Sequence, residues 1–235
     1  MKEFKTKILI TTLFLTLATS ISFAQKYSEG LLIGKSKSIL PLLKGKKFRL
    51  QTDAYNALIQ MKKDALKKGV RIDVVSSYRS FEHQQKLWSR KYLKFRKAGY
   101  SIKASVNKVK EYTAIPGTSR HHWGTEVDLR DHNKKNSSSL TSGKNSKYQK
   151  WMNENAHKYG FYLAYTNNKF RKGYKYESWH YSYRKLSKPL LNEYLKLDII
   201  KILKKENIAG NKVFTKQFIK KYIDEHVLGI NDYLF

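Results

Sequence analysis

The sequence predicts an α+β fold: a compact domain with a small antiparallel sheet and flanking helices, followed by a helical C-terminal extension. Helical and strand patterns succeed one another without the regular βαβ alternation that builds a parallel sheet. Hydrophobic residues make up 40% of the 235 residues and aromatic residues 14%. This apolar content is enough for one core of ordinary size, which excludes a chain that is disordered throughout.

The first helix and the first strand are predicted from the spacing of apolar residues. Apolar residues recur at helical intervals after Thr52 and Asp53, which can cap the helix, and Gly69 ends the pattern. Residues 71–77 then alternate between apolar and polar in the manner of a strand.

Two further helices and a loop follow. Ser80 is placed to cap a helix over residues 81–93, and residues 101–111 repeat the helical pattern. Pro116 and Gly117 interrupt residues 113–124, which are therefore predicted to form a loop.

The second half of the chain contains the remaining predicted strands. Residues 125–129 read as a short strand, and residues 131–146 are rich in Lys, Asn and Ser and predict a surface loop. The later predicted elements are a helix over 147–159, aromatic-rich strands over 161–165 and 178–183, and Lys-rich helices from Pro189 onward.

Residues 1–24 are expected to form a secretory signal peptide. Three lysines precede a run over residues 8–18 that is apolar apart from threonine, and residues 22–24 read SFA, which fits a cleavage site. A membrane-spanning helix is the alternative, but the run falls short of the ~20 residues that a span needs. We therefore expect a main domain over residues 25–187 and a helical extension over residues 188–235.

The charge and the absence of cysteine limit the classes of partner and site. Forty-eight Lys and Arg against 18 Asp and Glu give a formal charge of +30, which indicates a polyanionic neighbour. No second apolar stretch of spanning length follows residues 8–18, so we expect the exported, mature protein to have no transmembrane segment and to act in the periplasm or at the cell wall. An anionic envelope polymer is then the expected polyanion, and nucleic acid is not. Without cysteine, a metal site must use His, Asp or Glu.

Two of the seven histidines are accompanied by carboxylates. Asp128 follows His121 by seven residues, and Glu177 precedes His180 by three. Imidazole and carboxylate are the ligands that zinc accepts when thiolate is absent, and three protein ligands with one open position are typical of catalytic sites. His121, Asp128 and His180 are candidate ligands, and Glu177 is a candidate acid and base. Spacing alone leaves ordinary solvated or structural histidines as the alternative.

Three strings in the chain are more specific than this spacing. Residues 119–129 read SRHHWGTEVDL, residues 177–180 read ESWH, and residues 76–84 read SSYRSFEHQ. In this order they resemble the motifs S-x-H-x-x-G-x-x-x-D-[LI], E-x-W-H and S-x-Y-R-S-x-x-x-Q of the VanY-type D-alanyl-D-alanine carboxypeptidases.

This resemblance implies a fold, a cofactor and roles for individual residues. The fold implied is a compact α+β zinc-peptidase domain with the zinc on a small antiparallel sheet. His121, Asp128 and His180 would be the zinc ligands and Glu177 the catalytic acid and base. In the same way, Arg79 would hold the substrate and stabilise the developing oxyanion, and two cleft positions are carried over as substrate-binding residues: Ser119 and Gln84.

The sequence departs from the residues usual in the family at three positions within the longest motif. Arg120 stands where relatives commonly have Glu, Trp123 where a smaller residue such as Thr is frequent, and Glu126 where Ala is frequent. Since none of the three aligns with a metal ligand, we expect these departures to affect specificity.

The resemblance implies removal of the terminal D-Ala from peptidoglycan stem peptides. Two alternatives remain at this point. The same zinc site would serve an L,D-carboxypeptidase or a peptidoglycan endopeptidase, since the motifs do not define the bond that is cut. A non-catalytic, basic module that binds the cell wall is the alternative from another class.

Overall fold

Eight α-helices and six β-strands make up the regular structure of residues 27–36, 42–44, 48–134 and 146–235, which are the residues described by this computed structural model. The helices are α1 (Glu29–Leu32), α2 (Thr52–Lys67), α3 (Phe81–Lys97), α4 (Ile102–Val109), α5 (Lys147–Asn155), α6 (Arg184–Tyr194), α7 (Ile199–Lys205) and α8 (Lys216–Tyr222). The strands are β1 (Leu42–Lys44), β2 (Arg49–Gln51), β3 (Ile72–Ser76), β4 (Glu126–Asp131), β5 (Phe161–Leu163) and β6 (His180–Tyr183).

Four of the strands form one antiparallel sheet with the order β3-β4-β6-β5. In the central pair, Glu126 lies opposite Ser182 and Asp128 lies opposite His180. Side chains two residues apart on a strand point to the same face. These four residues therefore share one face of the sheet, and that face carries the site described below.

The opposite face of the sheet is apolar and packs against α2 and α5. Val127 and Leu129 of β4 and Tyr181 of β6 are buried in one cluster with residues of these helices. From α2 the buried residues are Ala54, Leu58, Met61 and Ala65, which have the spacing of one helical face. The strand alternation thus separates a hydrophobic core on one side of the sheet from polar groups on the other.

A second hydrophobic cluster joins α3 and α4 to the C-terminal helices. Trp88 of α3 is fully buried there, and its indole Nε1 donates a hydrogen bond to the carbonyl of Ala209 at 2.8 Å. The hydroxyl of Tyr222 accepts a hydrogen bond from the backbone N–H of Ile115 at 3.1 Å. The C-terminal helices therefore brace the segment that leads into the site, and α6 runs across the predicted boundary between residues 187 and 188.

The predicted α+β class, with its small antiparallel sheet and flanking helices, is confirmed. Several element bounds differ from prediction. The helix at Thr52 begins without a side-chain cap, because Gln51, the last residue of β2, occupies the N-cap position. The helix at Ser80 is capped as predicted but extends to Lys97. The predicted loop contains a 3₁₀ helix, Arg120–Trp123.

The last elements also begin and end at residues other than those predicted. The two aromatic strands are shorter, at Phe161–Leu163 and His180–Tyr183, and the first C-terminal helix starts at Arg184 and contains Pro189. The predicted signal peptide lies outside the described residues. Within the described residues, no helix has the length and apolar character needed to cross a membrane.

Candidate metal centre

The polar face of the sheet brings three of the predicted site residues together. Suitable ligand atoms of His121, Asp128 and His180 all lie within 4.8 Å of one another, and all three residues are buried. Asp128 and His180 are neighbours across β4 and β6. The sheet register therefore accounts for two of the three positions.

His121 reaches this face from the 3₁₀ helix that precedes β4. Gly124 ends that helix in the left-handed conformation, with φ of 65°, which favours glycine. The chain then enters β4, and the backbone N–H of Gln51 in β2 donates to the carbonyl of Gly124 at 2.9 Å. The imidazole of His121 is held in place by a hydrogen bond from Nδ1 to the carbonyl of Ser77 at 2.7 Å. This bond leaves Nε2 turned toward Asp128.

Two of the distances between these atoms fit tetrahedral coordination of a cation. Nε2 of His121 and Nδ1 of His180 lie 3.5 and 3.6 Å from Oδ1 of Asp128. Ligands at zinc distances of 2.0–2.2 Å span tetrahedral edges of about 3.4 Å. Within the described part of the chain, His121 Nε2 and Asp128 Oδ1 are buried without a hydrogen-bond partner. Buried polar atoms are rarely left unpaired, and a metal ion would supply the missing partner.

The electrostatics of the cluster also favour a cation. Burial lowers the pKa of His121 to about 4, so this imidazole is neutral and able to ligate at neutral pH. Burial would also lower the pKa of His180, but hydrogen bonds to Glu126 and Glu177 outweigh it and raise this pKa to about 9. For Asp128, burial opposes ionisation, but His121 and Arg79 hold the pKa well below its usual range. The carboxylates that retain a proton on His180 would equally stabilise a metal cation in its place.

Glu177 lies beside this cluster. Its Oε2 is 3.2 Å from Nδ1 of His180, and its side chain is almost fully buried. Burial raises the pKa of Glu177 above its ordinary value, although the hydrogen bond with His180 acts in the opposite direction. The structure therefore places a carboxyl group with a raised pKa next to the candidate ligands.

Arg79 follows β3 and contacts the cluster from the other side. Its Nη2 donates to Oδ2 of Asp128 at 2.6 Å, and its Nε donates to Oγ of Ser76 at 2.9 Å. Nη1 lies 3.4 Å from Oε1 of Gln84, whose amide in turn donates to the carbonyl of Ala114 at 2.9 Å. A guanidinium carries five N–H donors. Three contacts position Arg79 and leave further donors for a ligand.

Ser119 and His122 flank His121. Ser119 is buried and lines the cleft above the candidate metal position. His122 is directed away from that position: its Nδ1 donates to the carbonyl of Arg79 at 2.8 Å, and its Nε2 accepts from the N–H of Gly117 at 3.1 Å. His122 thus supports the backbone of the arginine and the loop.

Glu126 is a functional candidate that the sequence reasoning missed. It is fully buried, and its Oε2 lies 3.0 Å from Nε2 of His180. The other oxygen, Oε1, contacts Arg120 at 3.3 Å. The available signal was the paired departure from the motif: position 120 has gained a basic residue and position 126 an acidic one.

A basic cleft leads from solvent to these residues. Two acidic residues line it, Asp128 and Glu177. The lysines and arginines that line it are Arg79, Arg90, Lys91, Arg120, Lys169, Arg171 and Lys175. Tyr112 and Trp179 stack on one wall with their ring centroids 6.4 Å apart. The cleft suits a ligand that carries negative charge.

The α+β fold and the buried cluster of two histidines and one aspartate at the base of the cleft place this chain in the class of proteins with a metal-binding site. Residues 47–186 match the family described as VanY, D-alanyl-D-alanine carboxypeptidase. The chain therefore belongs to the VanY family, which confirms the resemblance seen in the three motifs.

Individual relatives agree with this assignment. The chain is 33% identical over 116 residues to a D-alanyl-D-alanine carboxypeptidase of Enterococcus faecalis, a match that covers 49% of this chain and 41% of the relative. The match therefore spans less than half the length of that curated relative.

Solved structures share the fold. One is a vancomycin-resistance D,D-pentapeptidase VanY variant in complex with Zn(II), with 25% identity, a TM-score of 0.53, and coverage of 68% of this chain and 92% of that chain. Another is the LD-carboxypeptidase LdcB, with 25% identity, a TM-score of 0.50, and coverage of 78% of this chain and 72% of that chain.

Proposed function

We propose that this protein is a zinc-dependent D-alanyl-D-alanine carboxypeptidase that removes the terminal D-Ala from peptidoglycan stem peptides. The observation that carries the proposal is the convergence of His121, Asp128 and His180 within 4.8 Å, with Glu177 beside them, at the base of a basic cleft. Membership of the VanY family supports this reaction class, as does the Zn(II) complex of a related pentapeptidase.

In this proposal, the zinc ion would be held by three atoms: His121 Nε2, Asp128 Oδ1 and His180 Nδ1. A zinc ion held there would lower the pKa of a water molecule and polarise the scissile carbonyl. Glu177 takes the proton from the attacking water and returns it to the departing amine, since one carboxyl group can serve as base and then as acid. Its burial and raised pKa suit a group that must hold a proton between these two steps.

Arg79 binds the negative charge of the substrate. A planar guanidinium can donate two parallel hydrogen bonds to a carboxylate, which a lysine cannot do. Gln84 fixes the guanidinium, and Ser119 lines the same cleft, so both contribute to substrate binding. The basic residues along the cleft add a longer-range attraction for a peptide rich in carboxylates.

We further propose that the protein acts outside the cytoplasm. Residues 1–24 carry the features of a secretory signal, residues 25–187 form the catalytic domain, and residues 188–235 form a helical extension that supports it. The high positive charge also suits adhesion to anionic envelope polymers.

L,D-carboxypeptidase activity is the second candidate, because LdcB shares the fold at 25% identity. Both candidates require a free terminal carboxylate, whereas an endopeptidase does not. A non-catalytic wall-binding module is disfavoured, because such a module needs neither the three ligands nor Glu177.

The proposal is tested with two stem peptides that end in D-Ala-D-Ala, one with a free terminal carboxylate and one with an amidated terminus. Each is incubated with the zinc-loaded wild-type protein and with Arg79→Lys. We expect amidation and the Arg79→Lys substitution each to reduce kcat/KM strongly. Because both remove the same interaction, the two together should cost far less than the sum of their separate effects.

This comparison of two proteins on two peptides can contradict the proposal. If the wild-type protein cleaves the amidated peptide as fast as the free acid, it is not a carboxypeptidase, and the endopeptidase alternative takes its place. A second peptide separates the D,D from the L,D activity. It ends in a single D-Ala joined to an L-configured centre, so only an L,D-carboxypeptidase should cleave it.

A further inference from the structure

His180 is held between two carboxylates on opposite sides of its ring. Its Nδ1 faces Asp128 Oδ1 at 3.6 Å, and its Nε2 lies 3.0 Å from Oε2 of Glu126. In a metal-bound histidine, the hydrogen bond at one ring nitrogen sets the tautomer and the direction of the other nitrogen. Glu126 is thus placed to control how His180 presents Nδ1.

We propose that Glu126 is the positioning residue for His180: it accepts the Nε2–H of this imidazole and keeps Nδ1 directed at the metal ion. This inference rests on the proposed function, because it takes His180 as a zinc ligand. It also gives a role to a residue whose departure from the motif otherwise indicated only an effect on specificity.

Glu126 is itself held rigidly. Its Oε1 accepts hydrogen bonds from Oγ of Ser182 at 2.7 Å, from Oγ1 of Thr125 at 3.0 Å and from Nη2 of Arg120 at 3.3 Å. The side chain is fully buried, and Ser182 is its partner across the sheet. A carboxylate with both oxygens engaged has little freedom to turn, so the direction of the bond to His180 is fixed.

Arg120 supplies the charge that makes this arrangement possible. It is buried beside Glu126, with its guanidinium 4.9 Å from the ring centroid of Trp123. An unpaired buried carboxylate would be costly. The departures at positions 120 and 126 therefore act together, because the acidic residue needs the basic one.

The inference predicts that loss of the Glu126 carboxylate weakens zinc binding. Removal of such a carboxylate partner typically costs about 10- to 100-fold in metal affinity. We expect this loss in Glu126→Gln, measured by competition with a chromophoric zinc chelator. Since this variant leaves the buried charge of Arg120 without its carboxylate partner, Arg120→Met combined with Glu126→Gln provides a charge-balanced second variant that should show the same loss.

A matched control uses the same substitution at a remote ion pair. Glu206 pairs with Lys35 at 2.6 Å, away from the cleft. Glu206→Gln should bind zinc as the wild type does. His121→Ala should lose zinc affinity much more severely, which establishes that the measured metal occupies this site.

A spectroscopic readout separates positioning from a general structural effect. In Co(II)-substituted protein, the ring N–H protons of His121 and His180 should give two paramagnetically shifted signals that exchange slowly with solvent. The His180 signal should exchange at least tenfold faster in the Glu126 variants. The His121 signal should persist, because its bond to the carbonyl of Ser77 is intact.

The outcomes distinguish this inference from the proposed function. If His121→Ala binds zinc as tightly as the wild type, the metal is elsewhere and both fail. If His121→Ala loses zinc but both Glu126 variants keep wild-type affinity and a slowly exchanging His180 proton, the role of Glu126 alone is overturned. If the charge-balanced variant loses affinity and the His180 signal while melting like the wild type without metal, the inference stands.

Discussion

Replacement of Glu177 by glutamine should separate metal binding from chemistry. Glu177→Gln is expected to retain zinc, because the three ligand atoms come from other residues and glutamine has the same shape. Its rate of hydrolysis should fall by about 10²- to 10⁴-fold, the usual cost of losing a general acid and base. This corresponds to about 3–5 kcal/mol of lost transition-state stabilisation.

The same substitution has a predictable effect on stability. Burial raises the pKa of Glu177 in the folded protein. For an acid with a raised folded-state pKa, stability falls as the pH rises from the unfolded-state pKa toward the folded-state pKa. Glutamine carries no charge, so the variant does not lose stability through ionisation of a buried carboxyl group. Without metal at neutral pH, the variant should therefore unfold at the same temperature as the wild type or at a higher one.

The assay pairs elemental analysis for zinc with kcat on a peptide that ends in D-Ala-D-Ala, and uses Glu206→Gln as the matched control. A near-normal rate would remove Glu177 from the mechanism. A variant that loses its zinc together with its activity would instead make Glu177 a ligand, contrary to its proposed role.

Two other properties can be tested on the same protein. Burial holds the pKa of His226 at about 3, with Lys110 and Arg171 adding to the shift, so stability should fall as the pH drops below the unfolded-state value of ~6.5. In denaturant titrations, His226→Phe should gain about 2 kcal/mol relative to the wild type between pH 7.5 and pH 5, and an unchanged difference would show that His226 titrates normally. Removal of residues 1–24 takes away three lysines and one glutamate and lowers the charge from +30 to +28. Because the remaining charge is still strongly positive, co-sedimentation with isolated cell walls should weaken steeply with salt, since screening acts over ~10 Å at 0.1 M. Hydrolysis of a small peptide should change far less. Adhesion that is insensitive to salt would exclude the basic surface as its cause.

The candidate ligands were accessible to sequence reasoning because they lie in motifs that resemble those of a known family. Asp128 and His180 come together through the pairing of β4 and β6, and the motifs identified both residues before the pairing was known. The buried residues of α2 were predicted from periodicity instead, because helical spacing gives one buried face. For the helix, a local period decides which side chains face inward.

Features that depend on tertiary contacts were not predicted. The prediction that Thr52 caps α2 was wrong, because Gln51 belongs to β2 and the strand continues directly into the helix. The side-chain amide of Gln51 donates to the carbonyl of Trp123 instead of capping the helix. The direction of His122, which follows His121 but points away from the cluster, depends on a 3₁₀ helix in a segment that was predicted to be a loop. The contact of Glu126 with His180 requires the register between strands, which no local pattern contains.

The most direct test of the proposed function is mass spectrometry of purified stem pentapeptides after incubation with the mature protein. With zinc bound, we expect a single product that has lost one terminal alanine, with the rest of the peptide intact. The metal-free protein and the zinc-treated His121→Ala variant should leave the substrate unchanged, and zinc should restore activity to the metal-free wild type. Cleavage within the stem, or equal turnover by protein shown to be free of metal, would contradict a zinc-dependent D-alanyl-D-alanine carboxypeptidase.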